Sequence, residues 1–479
     1  MTETGITKAG IIDTDICVIG AGSGGLSVAA GAAQMGARVV LVEGHRMGGD
    51  CLNYGCVPSK ALLAAGKAAQ AHRRAGKGVA ADRPEVDFAA AKQHVARVIA
   101  AIEPHDSQER FEGLGVTVIR DWARFTSPDE IEAGGQRIRA RRFVIATGSR
   151  PLVPQVPGLD DVPFLTNETL FKLREAPGHL LILGGGPIGM EMAQAHRRLG
   201  SAVTVLDGAA ALGREDPEAA ALVLATLRAE GVEIIEQAMV ERVGGRAGAI
   251  EVQVAGGTIF MGTHLLVAAG REPALDRLNL GAAGVRHNKA GVEVDDRLRS
   301  SNRRVHAIGD AAGRGQFTHL AGYHAGIVIR SMLFALPARV RAGHIPRVTY
   351  TEPELAQVGL TEAEARKLHG DRLTVLRLGF DANDRAQAEG QIEGLIKVMV
   401  VRGRPVGATL AGPGAGEQIA LWSLMLANRM KLSALAGTVL PYPTLAELSK
   451  RAASAYFTPK LFDNPLIRRA VRVVQRWIP

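Results

Sequence analysis

The sequence is poor in cysteine and in aromatic residues. Three cysteines in 479 residues cannot staple a small secreted scaffold. Aromatics make up 4% of the chain, too few for a protein built on many base-stacking platforms. The 57 glycines follow no three-residue period; collagen is excluded, and the excess belongs in tight backbone turns. There is no low-complexity tract. Met1 to Gly10 includes Glu3 and no apolar run, so no secretory signal is visible and a cytoplasmic location is expected. The uncharged stretch Ile16 to Ala37 is long enough to span a bilayer. Its six glycines at turn spacing argue instead for a strand, a nucleotide-binding loop and a helix.

What is present is a globular composition. Hydrophobic residues make up 47% and charged residues 22%, which suits a soluble chain of about three domains. The net charge is +9, and residues 460–479 supply +4 of it through Lys460, Arg468, Arg469, Arg472 and Arg476 against Asp463. The rest is only mildly basic, so nucleic acid is not the expected partner.

The chain repeats itself. Asp15 to Ile19 is a short apolar strand running into Gly20-Ala21-Gly22-Ser23-Gly24-Gly25, an alanine-rich helix, and a strand ending at Glu43. His179 to Leu183 runs into Gly184-Gly185-Gly186-Pro187-Ile188-Gly189, a helix, and the strand Ala202 to Leu206 ending at Asp207. In both copies the acid lies 18 positions after the last motif glycine. Glycines let the backbone approach a pyrophosphate at a helix N-terminus, and the acid accepts hydrogen bonds from a ribose. One such copy is also compatible with a glycine turn that holds no ligand; two matched copies argue for two dinucleotide sites. A second pair repeats as well: Phe143 to Pro151, with Thr147 and Gly148, resembles Leu265 to Pro273, with Gly270. A further strand, Val305 to Ile308, leads into Gly309-Asp310. The simplest arrangement inserts the second nucleotide domain into the first. Asp207 repels a 2′-phosphate and no arginine occurs in 208–213, so NADH is favoured over NADPH. From about residue 345 the pattern becomes α+β, with strands at Pro346 to Tyr350 and Gly394 to Val401 and helices at Thr361 to Leu368 and Gly416 to Asn428.

Directly after the first unit comes Gly48-Gly49-Asp50-Cys51-Leu52-Asn53-Tyr54-Gly55-Cys56-Val57-Pro58-Ser59-Lys60. Two cysteines five apart precede a helical stretch whose N-terminus would favour a thiolate. A zinc site would need further ligands at metal-site spacing, which the segment lacks; a redox pair is the reading taken over two buried structural thiols. Cys17 stands alone in a strand and reads as a buried, inert thiol.

With these motifs in place, the chain resembles the class I pyridine nucleotide-disulfide oxidoreductases, which include dihydrolipoamide dehydrogenase, glutathione reductase and mercuric ion reductase, over about residues 12–458. The resemblance implies an α/β fold with two Rossmann-like dinucleotide-binding domains, the NAD domain inserted in the FAD domain, and a C-terminal α+β dimerisation domain. The expected boundaries are 1–155 and 274–344 for FAD, 156–273 for NAD(P)H, 345–460 for dimerisation and 461–479 for a tail. FAD would lie on Gly20, Gly22, Ser23, Gly24, Gly25 and Glu43, with Gly49, Thr147, Gly148 and Asp310. NADH would lie on Gly184, Gly186, Pro187, Ile188, Gly189, Asp207 and Gly270. A homodimer is implied. Electrons would pass from NADH through FAD to a Cys51–Cys56 disulfide, with Cys56 nearest the flavin and Cys51 attacking the substrate. Lys60 matches the family's lysine near the flavin and Glu191 its carboxylate partner; burial of both charges would require that they pair.

Two departures bear on the acceptor. Members acting on small dithiols carry His-Pro-Thr-x-x-Glu near the C-terminus; this chain reads Tyr442-Pro443-Thr444-Leu445-Ala446-Glu447. A phenol is a poor base at neutral pH, so an acceptor other than lipoamide or glutathione is expected: a metal ion, another disulfide or a quinone-type compound. Mercuric ion reductases share this tyrosine but carry a C-terminal cysteine pair, whereas no cysteine follows Cys56 here. A second active-site tyrosine of that group aligns with Phe111. His105 is either a substitute proton donor or a helix-surface histidine. A dihydrolipoamide dehydrogenase with an altered base and a flavoprotein that senses NADH or thiol state are the alternatives.

The tail reads as an amphipathic basic helix over 465–478. Ile467, Val471, Val474 and Ile478 share one face and Arg468, Arg472 and Arg476 another. It docks on the body or on the dimer partner, or it binds anionic lipid as a peripheral membrane contact.

Overall fold

The computed structural model describes residues 10–74, 77, 78, 80 and 85–478. The first nine residues, read above for a leader, and Pro479 lie outside the described residues. The chain forms two compact units. The first takes residues up to Gly184, Ala195–Leu206 and Ala238–Val340; the second takes Gly185–Gln194, Asp207–Gln237 and the chain from Arg341 onward.

The first unit is built on a seven-stranded sheet. Its centre is the strand Ile11–Ile19, paired in parallel with Val39–Val42 on one side and Gln136–Ile145 on the other. Val39–Val42 and the ends Ile16–Ile19 and Phe143–Ile145 are runs of buried, mostly apolar residues, whereas residues 136–142 alternate buried positions with exposed glutamine and arginine. The uncharged stretch from Ile16 to Ala37 is therefore the end of this strand, a loop and the helix Ser23–Gln34. No helix among the described residues is long and apolar enough to cross a membrane.

The strand Val305–Ala307 returns to this sheet alongside Phe143–Ile145. Between leaving and returning, the chain builds a second parallel set, in which His179–Leu183 pairs with both Ala202–Leu206 and His264–Val267. The insertion expected from the repeat is present. The two repeated exits also meet: Ser149–Pro151 pairs antiparallel with Arg271–Pro273. Local pattern could show that these segments were alike; pairing between positions over a hundred residues apart is a tertiary result.

Cys17 is fully buried in the first sheet, and burial pushes its thiol well above the usual range. Lys92 is buried too, on the helix Phe88–Asp106, with Nζ 3.4 Å from the Leu170 carbonyl and 5.1 Å from the Phe171 ring centre. Burial pulls its pKa down to about 8. Between that value and the unfolded value near 10.4 the unfolded chain holds the extra proton, so stability rises with pH through this window. Lys92→Met is expected to stabilise the protein at pH 7 by roughly 2–3 kcal/mol and to flatten that rise. Thermal melts of both proteins from pH 7 to 10 check it; parallel curves would refute it.

In the second unit a five-stranded antiparallel sheet runs in the order Pro346–Thr349, Glu354–Gly359, Arg404–Gly412, Leu395–Val401, Leu373–Gly379. The helix Ala415–Ala427 packs Ile419, Trp422 and Met425 onto it. Trp422 is wholly buried and donates its indole N–H to Ser449 at 3.0 Å. The expected strands and helices of this region sit within a residue or two of their places.

Candidate functional site

Each glycine-rich loop closes on its own acid. Glu43 accepts the Ala21 amide at 2.6 Å and the His45 amide at 2.7 Å. Asp207 accepts the Gly185 amide at 2.5 Å and the Ala209 amide at 2.7 Å. Each carboxylate is thus held at the strand end beside its loop, where a ribose would meet it. The repeat is exact in the turn as well. Gly20 has φ +105° and Gly184 φ +113°, and a Cβ on either would fall 2.4 Å from a backbone oxygen, that of Ala146 or Ala268. Gly25 has no room for a Cβ, which would lie 1.9 Å from the Gly20 oxygen. Gly22 and Gly186 differ: a Cβ on Gly22 would meet nothing closer than 3.9 Å, and none lies within 4 Å at Gly186. Those two positions border open space, which suits a ligand approaching the backbone.

The remaining sequence-assigned positions divide by environment. Ser23 begins a helix with no side-chain cap, leaving its first N–H groups for an anion. Gly24 instead packs against Ile308 and Ala321, so its smallness serves helix packing. Thr147 Oγ1 is buried beside Gly148, with no hydrogen-bond partner among the described residues. Asp310 is largely buried, and burial raises its carboxyl while the Ser149 hydroxyl, donating at 2.6 Å, opposes the rise. Pro187 and Ile188 are exposed at the start of the helix Pro187–Arg198, Gly189 is buried there, and Gly270 lies beside Leu152. The glycine cradle, the uncapped helix start and the orphaned Thr147 hydroxyl fit a dinucleotide on the first loop. The open Gly186 position and Asp207 fit one on the second.

The cysteine segment leans on the first loop. Gly49 lies so near Gly22 that a Cβ on Gly49 would sit 2.7 Å from the Gly22 Cα. Cys51 lies in the short helix Gly49–Asn53, and Cys56 is the first residue of the helix Cys56–Arg73. That second helix has no side-chain cap at Gly55, so its positive end faces Cys56. The two thiols hydrogen-bond to each other; this bond, with burial, pushes the Cys51 thiol far above its usual range. Thr318 Oγ1 stands 3.4 Å from Cys56 Sγ.

Sequence reading gave no role to the residues that brace this turn. Tyr54, in the spacer, stacks on His45 and meets its Nε2 at 3.0 Å. Asp50 Oδ1 accepts from Asn167 at 2.8 Å and from Arg271 at 3.2 Å. Arg271 donates to the Ser149 hydroxyl at 2.8 Å, which in turn donates to Asp310. A chain of polar contacts thus joins the residue before Cys51 to Asp310. Asp50→Asn is expected to cost about 1–2 kcal/mol, because it removes the carboxylate charge from a mostly buried arginine that keeps only its neutral Ser149 partners. It also removes a negative charge that raises the Cys51 thiol, so alkylation of the reduced pair should move to lower pH. An unchanged alkylation profile would refute the coupling. The only local sign of this network was an acid directly before the first cysteine; its partners are more than a hundred residues away.

Lys60 follows Cys56 by one helical turn and is half-buried. Glu191 is buried and accepts the Tyr350 amide at 2.9 Å. Tyr442 is 68% exposed, and its hydroxyl donates to Asp384 at 3.0 Å. That bond and the Asp384 charge raise its pKa, so it remains a neutral phenol. Glu447 begins the helix Glu447–Ala455, with Oε2 buried and no hydrogen-bond partner for it among the described residues. His105 is on the exposed last turn of its helix, while Phe111 is wholly buried in the core of the first unit.

Comparison with known proteins agrees with this architecture. Residues 14–325 match the pyridine nucleotide-disulphide oxidoreductase family and residues 345–453 its dimerisation domain. The chain belongs to that family and is a FAD-dependent pyridine nucleotide-disulphide oxidoreductase with a C-terminal dimerisation domain. It is 32% identical over 463 residues to a mercuric reductase of Bacillus cereus, covering 95% of this chain and 73% of that one. It is 32% identical over 455 residues to a dihydrolipoyl dehydrogenase of Geobacillus stearothermophilus, covering 92% and 96%. Among solved structures it is similar to a Cu(II) complex of the HOCl-induced flavoprotein disulfide reductase RclA from Escherichia coli. The TM-score is 0.83 at 30% identity, covering 91% of this chain and 99% of that one.

Proposed function

We propose that this protein is a homodimeric NADH-dependent reductase whose Cys51–Cys56 pair hands electrons to an acceptor needing no protein-borne proton, with a thiophilic metal ion first among the candidates. The observation that carries the reading is Tyr442, a neutral, exposed phenol at the position of the usual histidine, with its hydroxyl turned to Asp384. Cys56 stands at an uncapped helix start, which favours a thiolate. Thiolates bind soft metal ions directly, whereas dithiol exchange needs a base near neutral pH. Similarity to mercuric reductases and to a flavoprotein disulfide reductase solved with Cu(II) supports the same class.

Gly20, Gly22, Gly25, Glu43, Thr147 and Asp310 would hold FAD, and Gly184, Gly186, Gly189 and Asp207 would hold NADH. Bound FAD supplies the two-electron link between a nicotinamide and a disulfide. The chain supplies the rest. Cys56 carries the thiolate, and Cys51, kept protonated by its neighbour, is the thiol offered to the acceptor. Lys60, one turn along the helix from Cys56, and the buried carboxylate Glu191 are assigned to the same machinery. Asp207 selects NADH, since a second anion against it would be repelled. A dihydrolipoamide dehydrogenase with an altered base is the second reading, favoured by the retained Pro443, Thr444 and Glu447 frame.

The test is an acceptor comparison on the FAD-loaded protein with NADH. Turnover with Cu(II) or Hg(II) should exceed that with lipoamide, and Tyr442→His should raise only the lipoamide rate. Lipoamide turnover above that of either metal in the unaltered protein would establish the second reading.

A further inference from the structure

The helix Pro465–Trp477 has no buried residue. It is nonetheless well formed: Pro465 takes the first turn, and Asn464 Oδ1 accepts the Leu466 amide at 2.9 Å. At about 100° per residue, the apolar side chains after Pro465 fall within an arc of about 160°, and Gln475 and the four arginines lie on the other side, with Pro465 among them in the first turn. Leu466 is 69% exposed, Val473 58% and Trp477 76%. No acid follows Asp463, so the polar face carries positive charge only, from its four arginines beside the neutral Gln475.

We infer that this helix is a reversible anchor for an anionic lipid surface. Three features select that occupant. The apolar arc is wider than the two-position stripe of a helix pairing with a helix, but suits a half-cylinder sunk between headgroups and acyl chains. The four arginines are complementary to lipid phosphates, each adding to attraction toward an acidic leaflet. Trp477, on the apolar arc at the end of the helix, is the residue type that settles at a membrane–water boundary. Thirteen residues at 1.5 Å each give about 20 Å, short of the roughly 30 Å hydrocarbon core, so the helix lies in the plane and does not cross. The catalytic units are held at the membrane surface through this one segment. The inference stands on the tail alone and is independent of which acceptor the dithiol serves.

The experiment is flotation of the full-length, FAD-loaded protein with vesicles of phosphatidylcholine alone and with added phosphatidylglycerol, at low and high salt. Flotation is expected only with phosphatidylglycerol and is expected to fall about tenfold or more with Arg468→Glu/Arg472→Glu. High salt should release the protein, and the tail-deleted chain should stay in solution with its NADH turnover unchanged. Binding should also shift tryptophan emission to the blue, and Trp477→Phe should abolish the shift. Three results would each overturn the inference: no flotation at low salt, equal flotation with neutral vesicles, or flotation retained after deletion of 465–479. Conversion of dimers to monomers by the deletion, with vesicle binding unaffected, would reassign the face to contact between copies of the chain.

Discussion

Replacing Cys56 by serine should remove the long-wavelength absorbance that NADH produces in the anaerobic protein at two electrons. Acceptor turnover should fall by at least about a thousandfold. Cys51→Ser should behave differently: the absorbance should persist while turnover is lost. The asymmetry follows from the site. Cys56 starts an uncapped eighteen-residue helix, whose end stabilises negative charge, while Cys51 is half-buried and its thiol is pushed up by Cys56 and by burial. A serine hydroxyl at 56 cannot hold that charge near neutral pH. Retention of the band in Cys56→Ser with loss in Cys51→Ser would reverse the two roles. Bleaching without any such band in the unaltered protein would take both cysteines out of the circuit.

The second large effect is expected at the first loop, where two glycines three positions apart separate folding from ligand binding. Gly25→Ala places a Cβ 1.9 Å from the Gly20 oxygen. Gly20 cannot yield, because it is itself pressed against the Ala146 carbonyl at positive φ. The loop must open, at a cost above the ordinary 1–3 kcal/mol of overpacking, and the purified protein should retain less than about a tenth of its flavin. Gly22→Ala meets nothing closer than 3.9 Å, so stability should change by less than about 0.5 kcal/mol while flavin is still lost to the added methyl. Flavin absorbance per chain and thermal melts of both variants check this. Full flavin content in Gly22→Ala would show that this loop is not where the dinucleotide phosphates lie.

The two glycines also show what a single sequence can and cannot carry. The strand–loop–helix–strand units at Gly20 and Gly184 were legible because each is built within about thirty residues, and local backbone geometry dictates which positions must be glycine. The matching strands, the acids Glu43 and Asp207, and the cysteine pair all belong to such local units. The sequence reading grouped Gly24 with the ligand-facing glycines, although it packs on Ile308 and Ala321; a motif names glycines without saying what each makes room for. The C-terminal elements were placed to within a residue or two, since alternation and helical periodicity are short-range signals.

By itself, then, the sequence determined two nucleotide-binding repeats, a redox cysteine pair after the first, a tyrosine where a base is usual, and a cationic amphipathic tail. Only the tertiary structure decided how the cysteine turn is braced. Thr318 reaches Cys56 across 262 positions, and Asp50 finds Asn167 and Arg271 across more than a hundred. It also turned Tyr442 toward Asp384 and left the tail helix without a buried residue. The reason is physical: periodicity and turn chemistry act over one or two turns of chain, whereas a hydrogen bond between distant side chains exists only once the sheets have brought their loops together.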